Sequence, residues 1–313
     1  MFVGNVRELA GKIKTHGAMR GPLRLDEPMS AHTSFRIGGP ADLFAAPETA
    51  EEAAAILSLA SRLSVPVFLL GGGTNILVAD RGIRGLVVDL GRLARVEESG
   101  GLVSARCGAP MSGVCELALA RGLTGLEFCF GLPGSVGGAV WMNARCYGRQ
   151  ASDALEFIEC LDPKGEAIRR RSVLPDEWGY KLSPFQAGGE LILRAGFRLS
   201  PGDPARIEEQ MRDHRADRER KGHFLYPCAG SVFKNDRSFG APTGRLIDSL
   251  GLKGRRVGGA QIAPFHGNII VNLGGASACD VRALIELAES EVERLLGFHL
   301  EREVLLVGEW APS

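Results

Sequence analysis

The sequence predicts an α+β protein of two or three domains, on three observations. Helical and strand patterns follow one another in mixed order, without the steady β-α-β alternation of a doubly wound sheet. A chain of 313 residues can bury more than one large core. Past its middle, Pro201-Gly202-Asp203-Pro204 reads as a domain boundary.

Taken in order, residues 1 to 30 read as a leading helix and a polar connector. Thr33-Ser34-Phe35-Arg36-Ile37-Gly38-Gly39-Pro40 reads as a short extended piece ended by turn residues. Thr49, with Glu52 three residues on, predicts a capping box, and Ile56, Leu59, Ala60 and Leu63 mark the apolar face of the helix it starts. Val67 to Leu70 reads as a short buried strand, and Gly85 to Leu90 and Leu102 to Cys107 as further strands. Ser112 is placed to cap a helix that ends at Gly122. Leu155 to Leu161 and Leu191 to Leu199 read as strands flanking a polar segment.

Beyond the boundary, Ala205 to Lys221 is a densely charged helix that suits a solvated face with i,i+4 pairs. Tyr226 to Asn235 reads as a turn and a short strand, and Pro242 to Gly251 as a helix with Leu246, Ile247 and Leu250 inward. Val257 to Ile262 and Asn268 to Asn272 read as strands. Cys279 to Leu296 carries Val281, Leu284, Ile285, Ala288, Val292 and Leu295 at helical spacing, and Gly297 stops it. Leu300 to Val307 is a last strand, with Glu301 and Glu303 on one face by alternation.

Composition narrows the function. A formal net charge of zero argues against a nucleic-acid binder driven by phosphate neutralisation. No apolar run approaches the ~18 residues that span a bilayer, and the first residues lack the apolar centre of a secretory signal. The seven cysteines form no C-x-x-C pair, which fits a reduced cytoplasm with buried thiols, and nothing resembles a zinc site.

Two glycine-rich stretches carry the chemistry. From Gly122 to Gly148 the glycines Gly125, Gly131, Gly134, Gly137 and Gly138 recur around Pro133 and Ser135, and apolar Val136, Ala139, Val140 and Trp141 pack the loop down. Glycine there takes a positive φ or lets a large flat group approach the main chain, and bare N–H groups bind anionic or carbonyl oxygens. The second stretch, Gly71-Gly72-Gly73-Thr74-Asn75-Ile76-Leu77, follows a strand. It lacks both the G-x-G-x-x-G spacing of the usual dinucleotide turn and the Gly-Lys-Ser/Thr of a P-loop. It can still offer several N–H groups to a pyrophosphate, with Thr74 and Asn75 adding side-chain donors. A plain tight turn is the competing reading of each stretch.

Together these segments resemble one family, the UDP-N-acetylenolpyruvoylglucosamine reductases (UDP-N-acetylmuramate dehydrogenases). The matching pieces are Thr33 to Gly39, Gly71 to Leu77, Gly122 to Gly148, Tyr226-Pro227, Gly230 to Asn235, Gly251-Leu252-Lys253-Gly254 and Glu303-Val304, in order over nearly the whole chain. The resemblance implies a two-lobed FAD-binding domain of the vanillyl-alcohol-oxidase type over residues 31–200, after the leading helix and connector of residues 1–30. A smaller α+β substrate-binding domain would follow over residues 201–313. It implies that Gly71 to Leu77 cradle the FAD pyrophosphate and that Gly131 to Ala139 lie against the flavin. The short link from Phe233 to Leu246 resembles the subtype without a long tyrosine-bearing insertion.

The implied reaction saturates an enol ether in a cytoplasmic step of peptidoglycan synthesis, with non-covalent FAD as cofactor and NADPH as co-substrate. Hydride goes to the outer carbon of the enolpyruvyl group of a UDP-sugar and a proton to its neighbour. The resemblance makes Ser231 the proton donor and has Glu303 orient or protonate the carboxylate end. Lys181 stands where the family has Arg; it can offset charge but gives no planar two-donor fork. Tyr180, Lys221 and Asn235 match substrate-facing positions. Arg145-Cys146 departs from the small residues usual there. A related FAD oxidoreductase acting on another substrate, or a non-enzymatic flavin-binding module, shares the glycine motifs; Ser231, Lys221, Asn235 and Glu303 together speak against both.

Overall fold

The computed structural model describes residues 2–310. The chain divides into two compact units. The first takes the residues up to Asp26, then Asp42–Gly72 and Gly85–Ala216; the second takes Glu27–Ala41, Gly73–Arg84 and the residues from Asp217 onward.

The first unit is built on two sheets. One has the strand order Leu23–Pro28, Pro40–Ala45, Ile83–Asp89, Val67–Leu70, the last two parallel with Val67 beside Leu86. Val6, Leu9 and Ile13 of the helix Phe2–Thr15 and Ala53, Ile56 and Ala60 of the helix Ala50–Arg62 are buried in the same core. Thr49 caps the second helix, its Oγ1 accepting from the N–H of Glu52 at 3.2 Å. The return half of the expected capping box goes elsewhere, since the Glu52 carboxylate accepts from the N–H groups of Glu48 and Arg20. The second sheet is antiparallel, in the order Ile168–Ser172, Leu155–Leu161, Leu191–Arg198, Leu102–Arg106, Val96–Ser99. On one face Arg170, Glu159, Arg194 and Arg106 stand opposite one another across four strands, and Arg194 pairs with Glu159. The Phe157 ring lies on Gly196, where an added Cβ would come within 2.1 Å of it, and Arg170 covers the ring at 3.7 Å.

The second unit holds an antiparallel sheet of Arg256–Val257, Ala260–Ile262 and Ile270–Asn272 and a parallel pair of Ile76–Val78 with Leu305–Val307. Over it packs the helix Ala278–Leu296, opened by a capping box of Ser277 and Asp280 and closed by Gly297 at φ +70°. Val281, Leu284, Ile285, Ala288 and Val292 are buried as expected, but Leu295, in the last turn, is 48 % exposed.

Several local readings change. The connector after the first helix contains the strand Leu23–Pro28. Thr33 to Ile37 is a compact turn, its Thr33 hydroxyl donating to the carbonyl of Ile37 at 2.9 Å, and not an extended piece. Val67–Leu70 is an edge strand in which only Leu70 is buried. Ser112 lies inside the first turn of its helix, Met111–Ala120, and caps nothing. The polar segment includes the edge strand Ile168–Ser172, held by cross-strand charges despite three arginines. Val257 to Ile262 breaks at Gly258-Gly259 into a hairpin, with Gly258 at φ +51°. Tyr226 to Asn235 makes only isolated bridges at Ser231 and Phe233, and the last strand covers only Leu305–Val307. Of the cysteines, Cys279 is exposed and Cys146 and Cys228 are half-buried.

Candidate active site

In the first unit the two glycine stretches meet. A Cβ on Gly71 would sit 2.7 Å from Ser135 Oγ, and one on Gly72 would sit 2.9 Å from the Cα of Gly134, so side chains are excluded on that side. Gly131 and Gly134 take φ +74° and +128°, where glycine is favoured. Ser135 caps the short helix Val136–Trp141, accepting from the N–H of Gly138. Gly137 packs that helix on the strand end, its N–H donating to the Cys107 carbonyl at 2.8 Å. Gly138 is exposed, with nothing closer to an added Cβ than Ser135 Oγ at 3.5 Å.

Two residues outside the expected set shape this loop. Ser112 Oγ accepts from the N–H of Gly131 at 3.1 Å. Glu127, 6 % exposed, accepts from the Thr124 hydroxyl and, with both oxygens, from the N–H of Gly125. The N–H groups of Gly125 and Gly131 are therefore spent within the protein. A buried carboxylate two residues past a glycine is a signal for such a turn that the sequence carried.

Tyr180 and Lys181 form the tip of a tight turn closed by paired main-chain bonds between Gly179 and Leu182 at 3.1 and 3.2 Å. Lys181 has φ +57°, a left-handed conformation that disfavours side chains. Asn143, fully buried, holds the turn by donating to the Gly179 carbonyl at 2.8 Å, and Gln186 donates to the Lys181 carbonyl at 3.0 Å.

In the second unit the rest of the Gly71 to Leu77 stretch runs beside Glu303. Asn75 Nδ2 donates to the Glu303 carbonyl at 3.0 Å, and the N–H of Leu305 donates to the Asn75 carbonyl. The turn at Thr33 supports it: the N–H of Ser34 donates to the Gly73 carbonyl, and a Cβ on Gly73 would strike the His32 carbonyl oxygen at 2.0 Å. The Val232 carbonyl accepts from the N–H groups of both Glu303 and Val304, at 2.7 and 3.2 Å. That ties the residue after Ser231 to Glu303. Glu301, expected on the same face as Glu303, pairs instead with Lys234 at 2.5 Å.

Ser231 is half-buried, and among the described residues its hydroxyl has no hydrogen-bond partner. Its backbone is held by Asn268, a residue the sequence reading did not single out. Asn268 accepts at its carbonyl from Val232, and its side chain both accepts from and donates to Phe233, at 2.9 and 2.8 Å. Lys221 pairs with Asp217 at 2.6 Å, and Asn235 Oδ1 accepts from the N–H of Thr243 at 3.0 Å.

Residues 222–307 match the model of the UDP-N-acetylenolpyruvoylglucosamine reductase C-terminal domain, and residues 41–170 match an FAD binding domain. A UDP-N-acetylenolpyruvoylglucosamine reductase of Treponema denticola is 41 % identical over 306 residues, 93 % of this chain and 95 % of the relative. Its counterpart in Borrelia garinii subsp. bavariensis is 40 % identical over 278 residues, 88 % of this chain and 90 % of the relative. The chain belongs to the UDP-N-acetylenolpyruvoylglucosamine reductase family. The crystal structure of the reductase from Thermus caldophilus superimposes with a TM-score of 0.76 at 34 % identity, covering 92 % of this chain and 99 % of that one. The fold is thus α+β, with an FAD-binding domain followed by the reductase family's C-terminal domain.

The residues fit the cofactor of this reductase family. The N–H groups of Gly71, Gly72 and Gly73 donate to no acceptor among the described residues, which suits the oxygens of a pyrophosphate. Exposed Gly138 leaves room for a flat ring to approach the backbone. Among the described residues no helix is long and apolar enough to cross a membrane.

Two histidines near Asn268 set an acid limit on stability. Burial, then Arg218, lowers His223 from its ordinary 6.5 to about 4. Burial, then Lys221, lowers His266, whose Nδ1 accepts from the N–H of Asn268 at 3.2 Å. A folded-state value below the unfolded one means that the unfolded chain takes the proton first as pH falls. The stabilisation is complete above pH 6.5 and is lost on the way down to 4. Between pH 6.5 and 5, before most carboxylates titrate, His223→Gln should lose about 1 kcal/mol less than the unaltered protein in denaturant titrations, a figure discounted for partial exposure. Equal losses in both proteins would remove His223 from this role.

Proposed function

We infer that this chain uses NADPH to reduce UDP-N-acetylenolpyruvoylglucosamine to UDP-N-acetylmuramate, with non-covalently bound FAD, in the cytoplasmic stage of peptidoglycan synthesis. The family assignment supports the reaction, and the observation that carries it to residues is the partnerless Ser231 hydroxyl on a backbone bonded to that of Glu303. FAD, when bound, accepts hydride from NADPH and passes it to the outer carbon of the enolpyruvyl group.

The protein's part is to hold charge and deliver one proton. Ser231 gives its proton to the carbon beside the carboxylate as negative charge builds there. A hydroxyl is a weak acid, so this needs a fixed donor geometry, which Asn268 supplies through its three bonds to Val232 and Phe233. Glu303 acts at the carboxylate end of the substrate. Lys181, held at the tip of its turn, offsets the charge of the developing enolate. Tyr180, Lys221 and Asn235 take the sugar nucleotide, Lys221 exchanging Asp217 for the diphosphate. Neither nucleic acid nor a membrane is a partner in this reading.

The test is anaerobic. NADPH alone should bleach the bound flavin, and the enolpyruvyl sugar nucleotide should restore its colour. Flavin that bleaches but is not recoloured by this substrate would point to a different acceptor.

A further inference from the structure

The stretch from Trp141 to Arg145 and the stretch from Gly179 to Gln186 are bonded into one piece. Asn143 donates to the Gly179 carbonyl and accepts from the N–H of Ser152, at 2.8 and 3.0 Å. The Trp141 carbonyl accepts from Ser183 Oγ at 2.6 Å and from Gln186 Nε2 at 3.0 Å. Lys181 cannot move far from Asn143, and Arg145 is only two residues beyond Asn143. The Arg145 guanidinium lies over the Tyr180 ring, with Cζ 5.5 Å from the ring centroid. Among the described residues no carboxylate pairs with Arg145, which is half-buried.

An arginine near an aromatic ring can draw cation–π stabilisation from it while its guanidinium keeps five N–H donors in one plane. Lys181, next to the same tyrosine, brings a single mobile ammonium. A carboxylate has two oxygens in a plane and is met best by a planar fork. We propose that Arg145 is a specificity-determining residue of this enzyme: its guanidinium binds the substrate carboxylate beside Lys181 and supplies the two-donor geometry that lysine lacks. This rests on the role given to Lys181 above. The same donors could instead meet the diphosphate of the sugar nucleotide, and the two sources of anionic oxygen are separable by experiment.

The experiment uses the FAD-loaded protein and Arg145→Met, which keeps an apolar stem on Tyr180. Two ligands are titrated against the oxidised enzyme by flavin absorbance: the enolpyruvyl substrate, and UDP-N-acetylglucosamine, which has the diphosphate but no carboxylate. Arg145→Met should weaken the first by roughly 10- to 100-fold, the range for a lost hydrogen bond to a charged group, and leave the second unchanged. Arg145→Lys should recover part of the loss. Equal weakening of both ligands assigns Arg145 to the diphosphate and overturns the proposal. No weakening of either means that Arg145 only packs on Tyr180, and also overturns it. Lys181→Ala in the same titration separates the two readings: a loss for Arg145→Met with none for Lys181→Ala leaves Arg145 as the carboxylate ligand and removes Lys181.

Discussion

Ser231→Ala should leave flavin reduction by NADPH nearly unchanged and slow reoxidation by the enolpyruvyl sugar nucleotide by roughly 10²-fold or more, the range for losing a positioned acid. Nothing in the first half-reaction needs a proton from Ser231. The bonds that hold its segment run through Val232, Phe233 and Asn268, and none passes through the hydroxyl. The substitution therefore removes one oxygen from a backbone that stays in place, and stability should change little. Stopped-flow spectroscopy at the flavin absorbance reads each half separately. Equal slowing of both would show that the hydroxyl supports the loop and gives no proton.

Lys181→Ala should slow reoxidation by roughly 10²- to 10³-fold, the scale of losing one preorganised donor to developing charge. Lys181→Arg should match or exceed the native rate where its fork can engage. The left-handed backbone at φ +57° adds a control. Lys181→Gly removes the cation and also relieves a conformation that costs a side chain about 1 kcal/mol. That variant should be more stable than the native protein and as slow as Lys181→Ala. A rate loss that comes with a gain in stability excludes misfolding as its cause. Wild-type reoxidation in both Lys181→Ala and Lys181→Gly would remove Lys181 from the chemistry.

What was legible in the sequence follows from how locally each feature is determined. The helix Ala278–Leu296 and the strand Leu155–Leu161 are written in side-chain periodicity, and both stand where the pattern put them. The glycine stretches were legible because positive φ and close backbone approach leave few residue choices, as at Gly72 against Gly134. The strand Ile168–Ser172 was not, because Arg170 stands opposite Glu159 and over the Phe157 ring while Arg171 pairs with Glu177 and Glu190, partners that no local pattern points to. Gly258-Gly259 carried a hairpin signal that the surrounding apolar run masked. In the candidate site, Ser231, Lys181 and Glu303 came from resemblance. Asn268 and Asn143, which hold Ser231's segment and Lys181's turn, act through long-range hydrogen bonds that no spacing announces.

The central claim, that this chain is a reductase of an enolpyruvyl sugar nucleotide, is tested most directly by one anaerobic two-step titration. FAD-loaded protein is first bleached with one equivalent of NADPH, then mixed with one equivalent of UDP-N-acetylenolpyruvoylglucosamine. The expected result is full return of the oxidised flavin spectrum with one equivalent of product heavier than substrate by two hydrogens. Flavin that stays bleached with this substrate, or recolours only when oxygen is admitted, would contradict it.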